Sequence, residues 1–79
     1  MSQVILPELG DGIEKAVIAC WHYKVGQAVK ADDDIVELVT DKASFNVSAG
    51  GNGILQKILV AEGAEAKIGE VLAVIEPKI

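Results

Sequence analysis

The chain has 79 residues, 51% of them apolar but with only Trp21, Tyr23 and Phe45 as aromatics, and its twelve acids against seven lysines leave a net charge of −5. That length limits it to one domain with a small core, and the negative field excludes nucleic-acid binding by counterion release and favours a basic partner. A single cysteine excludes an internal disulfide framework, and without a basic start, a long apolar run or a span-length segment the expectation is a soluble, intracellular chain with no membrane partner.

In chain order, short apolar stretches are separated by turn residues. They are QVIL (3–6), AVIACWHY (16–23), DIVELV (34–39), SFNV (44–47), GILQKILV (53–60) and EVLAVI (70–75), with Gly, Asp, Asn and Pro between them. None has the length and 3.6-residue period of an amphipathic helix, and the turn spacing is that of an all-β sandwich or barrel. Asn52-Gly53 reads as the tight turn of a hairpin between SFNV and ILQKILV, because both residues tolerate positive φ. Pro7 and Pro77 stand at strand ends, where a missing N–H does no harm.

Sliding the chain by 37 residues lays Gly26 on Gly63, Lys30 on Lys67, Asp33 on Glu70, Ile35 on Leu72 and Leu38 on Ile75. Ile18 falls on Leu55, Trp21 on Ile58 and Tyr23 on Val60, so one apolar pattern is written twice. In both copies the apolar step from Ile18 to Trp21, and from Leu55 to Ile58, is three residues and not two. A strand that keeps both residues on its core face must absorb the extra one as a β-bulge. Two bent halves, each too small to bury its own apolar face, are expected to close over a shared core as a flattened barrel or sandwich of two small antiparallel sheets related by a pseudo-twofold axis.

The same shift carries Lys42 onto Ile79, so the turn holding Lys42 is expected at the end of the domain opposite the chain terminus. DIVELV leads into that turn and SFNV leads out, leaving Thr40-Asp41-Lys42-Ala43 as an exposed corner in which Asp41 hydrogen-bonds the turn backbone. Other polar groups read as structure. Asp32-Asp33-Asp34 lacks the glycine and terminal glutamate of a calcium loop and is a solvated turn. Cys20 and His22 are too few for a metal site and form no nucleophile-base set, so Cys20 reads as a small apolar filler and His22 as a strand residue. Gly50-Gly51-Asn52-Gly53 has neither the lysine-serine ending nor the helix of a phosphate loop.

Taken together, VTDKAS (39–44), PELGDGIEKA (7–16) and the paired corners KVGQAV (24–29) and AEGAEA (61–66) resemble the lipoyl domain of 2-oxo acid dehydrogenase complexes, over residues 2 to 77. The resemblance implies that Lys42 carries lipoic acid in amide linkage, with Asp41 and Ala43 as the flanks read by the lipoate-attaching ligase. The amide removes the lysine's charge. The arm takes up an acyl group on its dithiolane, passes it on and is reoxidised, so this chain is a carrier and not itself an enzyme. Implied partners are a thiamine-diphosphate-dependent decarboxylase, an acyltransferase core and dihydrolipoyl dehydrogenase, with Gly10, Asp11, Gly12 and Ile13 forming the loop that the decarboxylase touches. Two departures thin the acidic collar: Val39 and Asn46 stand where the family often has acids. The further expectations are a monomeric domain at residues 1–79, the N-terminal module of a longer dihydrolipoyl acyltransferase, serving pyruvate in the bacterial cytoplasm or, in a eukaryote, the mitochondrial matrix. A biotinyl carrier would flank its lysine with methionines, and the one methionine is Met1; an unmodified β-sandwich adaptor is the other alternative.

Overall fold

The computed structural model describes residues 2–10 and 12–77. Eight strands and no helix are present among them: β1 (Ser2–Ile5), β2 (Lys15–Trp21), β3 (Ala28–Val29), β4 (Asp34–Val39), β5 (Ser44–Ser48), β6 (Gly53–Ile58), β7 (Glu65–Lys67) and β8 (Val71–Glu76). They form two four-stranded antiparallel sheets, ordered β1-β8-β6-β3 and β5-β4-β2-β7. In β2 the side chains alternate between core and solvent up to Ile18, as a sheet with one wet face requires, while β4 and β8 each bury two consecutive residues, Ile35-Val36 and Leu72-Ala73.

The internal repeat is reproduced in the strand register. Ile18 pairs with Leu38 and Cys20 with Glu37, with a bulge between Ile18 and Cys20; in the other sheet Leu55 pairs with Ile75 and Lys57 with Val74, with a bulge between Leu55 and Lys57. These are the same pairs shifted by 37 residues, and both bulges fall where the three-residue apolar steps require them. Turn bonds repeat as well: Asp33 and Glu70 each accept, through a side-chain oxygen, the N–H of Lys30 and Lys67 three residues earlier. Asp32 and Asp33 thus belong to a structural turn, as the sequence implies, while Asp34 already opens β4.

Sequence reading missed β3 and β7, which lie in the KVGQAV and AEGAEA corners. They are two and three residues long, too short to show a period. Yet they interlock the halves: β3 crosses to pair with β6 of the second repeat, and β7 crosses to pair with β2 of the first. Each sheet thus holds three strands from one half and one from the other. Between the sheets lie Leu6, Ile18, Ile35, Leu38, Leu55, Leu72 and Ile75, each at most 1% exposed, and no buried polar or charged side chain is found among the described residues.

The Asn52-Gly53 hairpin does not form. β5 and β6 belong to different sheets, and the segment between them is a crossing, with Ala49 and Gly50 donating to the carbonyls of Asp33 and Ala31. The positive φ is supplied by Gly50, at 73°, while Asn52 accepts from the Ala31 N–H. Gly53 is small for another reason: a Cβ there would run into the Glu76 carbonyl and stand 2.9 Å from Ile75 Cγ2. The expected position of Ile79 opposite Lys42 lies outside the described residues.

Candidate functional site

β4 and β5 pair up to Val39 and Ser44, leaving Thr40–Ala43 as the hairpin tip. The residue that organises this tip is Thr40. Its hydroxyl donates to the Ala43 carbonyl (2.9 Å) and accepts from the N–H groups of Lys42 (3.2 Å) and Ala43 (3.1 Å), while its own N–H donates to the Ala43 carbonyl (2.8 Å). One donor and two acceptor sites are all a hydroxyl has, and all are used. Among the described residues no non-glycine adopts positive φ, so the lysine is held at the tip without backbone strain. The expectation that Asp41 would bond the turn backbone is corrected: threonine already fills those backbone groups, and Asp41, Lys42 and Ala43 are all exposed.

The second predicted element lies beside this tip. Gly10 and Gly12 adopt φ of 137° and 82°, and the Ile13 N–H closes the loop on the Gly10 carbonyl at 3.2 Å. A Cβ on Gly12 would stand 3.3 Å from Lys42 Nζ, so the lysine's amine rests over a glycine that leaves it room. Asp11 lies outside the described residues. Between loop and tip runs an open groove of about 670 Å³, lined by Ile13, Val17, Val39, Thr40 and Asp41 among others. Val17 and Val39 are cross-strand partners on the outer face and are 39% and 41% exposed. The sequence held a signal for this patch, since strand alternation turns both valines away from the core.

The corner suits a covalently attached arm. Lys42 is exposed, its amine lies over a glycine, and the sole ion pair among the described residues is Lys15 to Glu65 at 3.4 Å. No described carboxylate therefore sequesters the amine that would form the amide. No methionine flanks it.

A profile of the family described as biotin-requiring enzymes, the biotin/lipoyl group, matches residues 2–75. The dihydrolipoyllysine-residue succinyltransferase component of the 2-oxoglutarate dehydrogenase complex of Rickettsia typhi is 41% identical over 68 residues, which cover 86% of this chain and 17% of that protein. Its counterpart from Buchnera aphidicola subsp. Schizaphis graminum is 37% identical over 76 residues, covering 95% of this chain and 19% of that protein. The chain thus spans less than a fifth of the length of these curated relatives. Among solved structures, the lipoyl domain of the 2-oxoglutarate dehydrogenase complex from Azotobacter vinelandii superposes with a TM-score of 0.75 at 34% identity, covering 98% of this chain and 100% of that one. In sequence and in fold, then, the chain belongs to the biotin/lipoyl-attachment family as a lipoyl domain, the type that carries lipoic acid covalently on a lysine.

Proposed function

We propose that Lys42 is the lipoylated residue and that this domain is the acyl and electron carrier of a 2-oxoglutarate dehydrogenase complex. The observation that carries this reading is the tip itself: an exposed lysine between Asp41 and Ala43, fixed by Thr40 at the end of a hairpin. The lipoyl group, once attached, supplies a dithiolane that takes up an acyl group together with two electrons. The chain's own residues do the rest. Thr40 fixes the root of the arm, and the Gly10–Ile13 loop with Val17 and Val39 offers an adjoining surface for the decarboxylase. Tethering would raise the arm's local concentration at each partner to the millimolar range, ~10⁻³ M.

The relatives' names support 2-oxoglutarate and a succinyl group. The expectation of pyruvate rested on family frequency alone and has no support among them. Their greater length supports a parent chain with an acyltransferase core and dihydrolipoyl dehydrogenase as a further partner, and the single cysteine suits the cytoplasm. Intact mass after expression with lipoate should show one lipoyl group per chain, absent from Lys42→Arg. Reductive succinylation by a 2-oxoglutarate decarboxylase should then exceed acylation by pyruvate and branched-chain decarboxylases. A lipoyl group that survives Lys42→Arg would refute the assignment of the lysine, and faster acylation by the pyruvate enzyme would refute the assignment of the complex.

A further inference from the structure

The outer face of the β5-β4-β2-β7 sheet carries a cluster that the carrier role does not use. The bulge in β2 sets Cys20 opposite Glu37, and His22, two residues on, projects from the same face. One ligand atom from each of Cys20, His22 and Glu37 lies within 4.8 Å of the other two, with Cys20 Sγ 4.0 Å from His22 Nδ1. On the far side of the ring, His22 Nε2 lies 3.4 Å from Asn46 Oδ1, and Asn46 pairs with Glu37 across β4 and β5.

We propose that Cys20, His22 and Glu37 form a three-ligand site for a borderline-soft divalent cation, Zn²⁺ foremost. Thiolate, imidazole and carboxylate are the ligand set of zinc, and three protein ligands leave its fourth position to water. Tetrahedral bonds of about 2.0–2.3 Å separate neighbouring ligand atoms by roughly 3.5 Å, so small side-chain rotations from the observed spacing close the site. The Asn46 contact points the same way. A metal-bound imidazole gives its other N–H to an oxygen, which fixes the ring and directs the free lone pair at the metal. The 3.4 Å contact suits that arrangement, since the tautomer with its proton on Nε2 donates to Asn46 Oδ1 and turns a bare Nδ1 toward Cys20 and Glu37.

The pseudo-twofold provides an internal control. The positions equivalent to Cys20, His22 and Glu37 hold Lys57, Leu59 and Val74, none of which ligates zinc. The fold itself therefore does not call for these three residues. Sequence reading set Cys20 and His22 aside as too close together and too few for a metal site, and only the pairing of β2 with β4 brings a third ligand, Glu37, alongside.

Zn²⁺ and Co²⁺ are titrated into the chain bearing Lys42→Arg, under a non-thiol reductant, so that no lipoyl sulfur competes. The expected result is one equivalent bound, a thiolate-to-cobalt charge-transfer band, and amide shifts centred on residues 20, 22 and 37. Cys20→Ser should remove the band and weaken Zn²⁺ binding at least ~10-fold, His22→Ala and Glu37→Gln should weaken it comparably, and Asn46→Ala roughly 10-fold through the imidazole. Circular dichroism of each variant checks that it is folded. No stoichiometric binding, binding of equal strength in all folded variants, or amide shifts centred on Asp32–Asp34 would each overturn the proposal.

Discussion

The place of Lys42 at an exposed hairpin tip was legible because DIVELV and SFNV read as the two strands on either side of it. Thr40 was not, because a hydroxyl's partners depend on which backbone groups the turn leaves open, and that is a property of the closed hairpin. Its role can be measured. Thr40→Val keeps the shape and removes the hydroxyl's three hydrogen bonds at an exposed tip, where a bond is worth about 0.5–1.5 kcal/mol. The expected loss is about 1 kcal/mol in global stability by urea denaturation, together with faster amide exchange at Lys42 and Ala43 and slower lipoylation. Unchanged exchange at both amides would show that the strand pairing alone shapes the tip. Tyr23 offers a second test at this scale. Partial burial against the core, and then the Asp33 carboxylate, hold its phenol above the ordinary value of 10.0. The fold thus favours the neutral phenol, and this contribution is complete below pH about 10 and lost as pH rises through the higher folded value. Tyr23→Phe should flatten that alkaline decline in stability, and a phenolate absorbance titration of the wild-type chain should show an upward-displaced midpoint.

At the scale of elements, the two bulges could be anticipated because a bulge leaves a trace in apolar spacing: Ile18 to Trp21 and Leu55 to Ile58 each step by three. β3 and β7 left no such trace. The Asn52-Gly53 reading failed because tight-turn chemistry and close backbone approach both select glycine, and only the packing of β6 against β8 tells them apart. Gly53→Ala would push a methyl into the backbone of Glu76 and against Ile75 Cγ2. Since that neighbour is a strand and not the end of a flexible side chain, the expected cost is about 2 kcal/mol or more, seen as a fall in Tm of roughly 8 °C or more for a chain of this size. Gly51→Ala is the control. It meets only the side chain of Ser2, at 3.2 Å, and should change stability by no more than about 0.5 kcal/mol. Equal effects of the two substitutions would mean that β8 gives way to the methyl and that the close approach to Glu76 does not select Gly53.

Across the whole molecule, the twofold relation makes the Lys42 hairpin and the chain ends alternative solutions to one connection. β5 lies on β4 as β1 lies on β8: Val36 pairs with Val47 and Leu38 with Phe45, while the equivalent Ala73 pairs with Val4 and Ile75 with Ser2. One junction is closed by four residues, Thr40–Ala43, and the other lies between Glu76 at the end of β8 and Ser2 at the start of β1. The fold should therefore tolerate exchanging them. A permuted chain, opened between Asp41 and Lys42 and joined from Pro77 to Ser2 by a short glycine-rich linker, keeps every strand and every pairing, and the difference in loop-closure entropy is on the order of 1 kcal/mol. It should fold with the same amide spectrum outside the two junctions and a stability within about 2 kcal/mol of the parent, yet it should not be lipoylated, because Asp41 and Lys42 no longer share a turn. Opening the chain between Gln27 and Ala28 should behave differently. That cut frees β3, one of the two short strands that cross between halves, and leaves β7 on β2 as the single crossing that joins them. An unfolded first permutant beside a folded second one would show that the tip, and not the crossing of β3 and β7, holds the two repeats together.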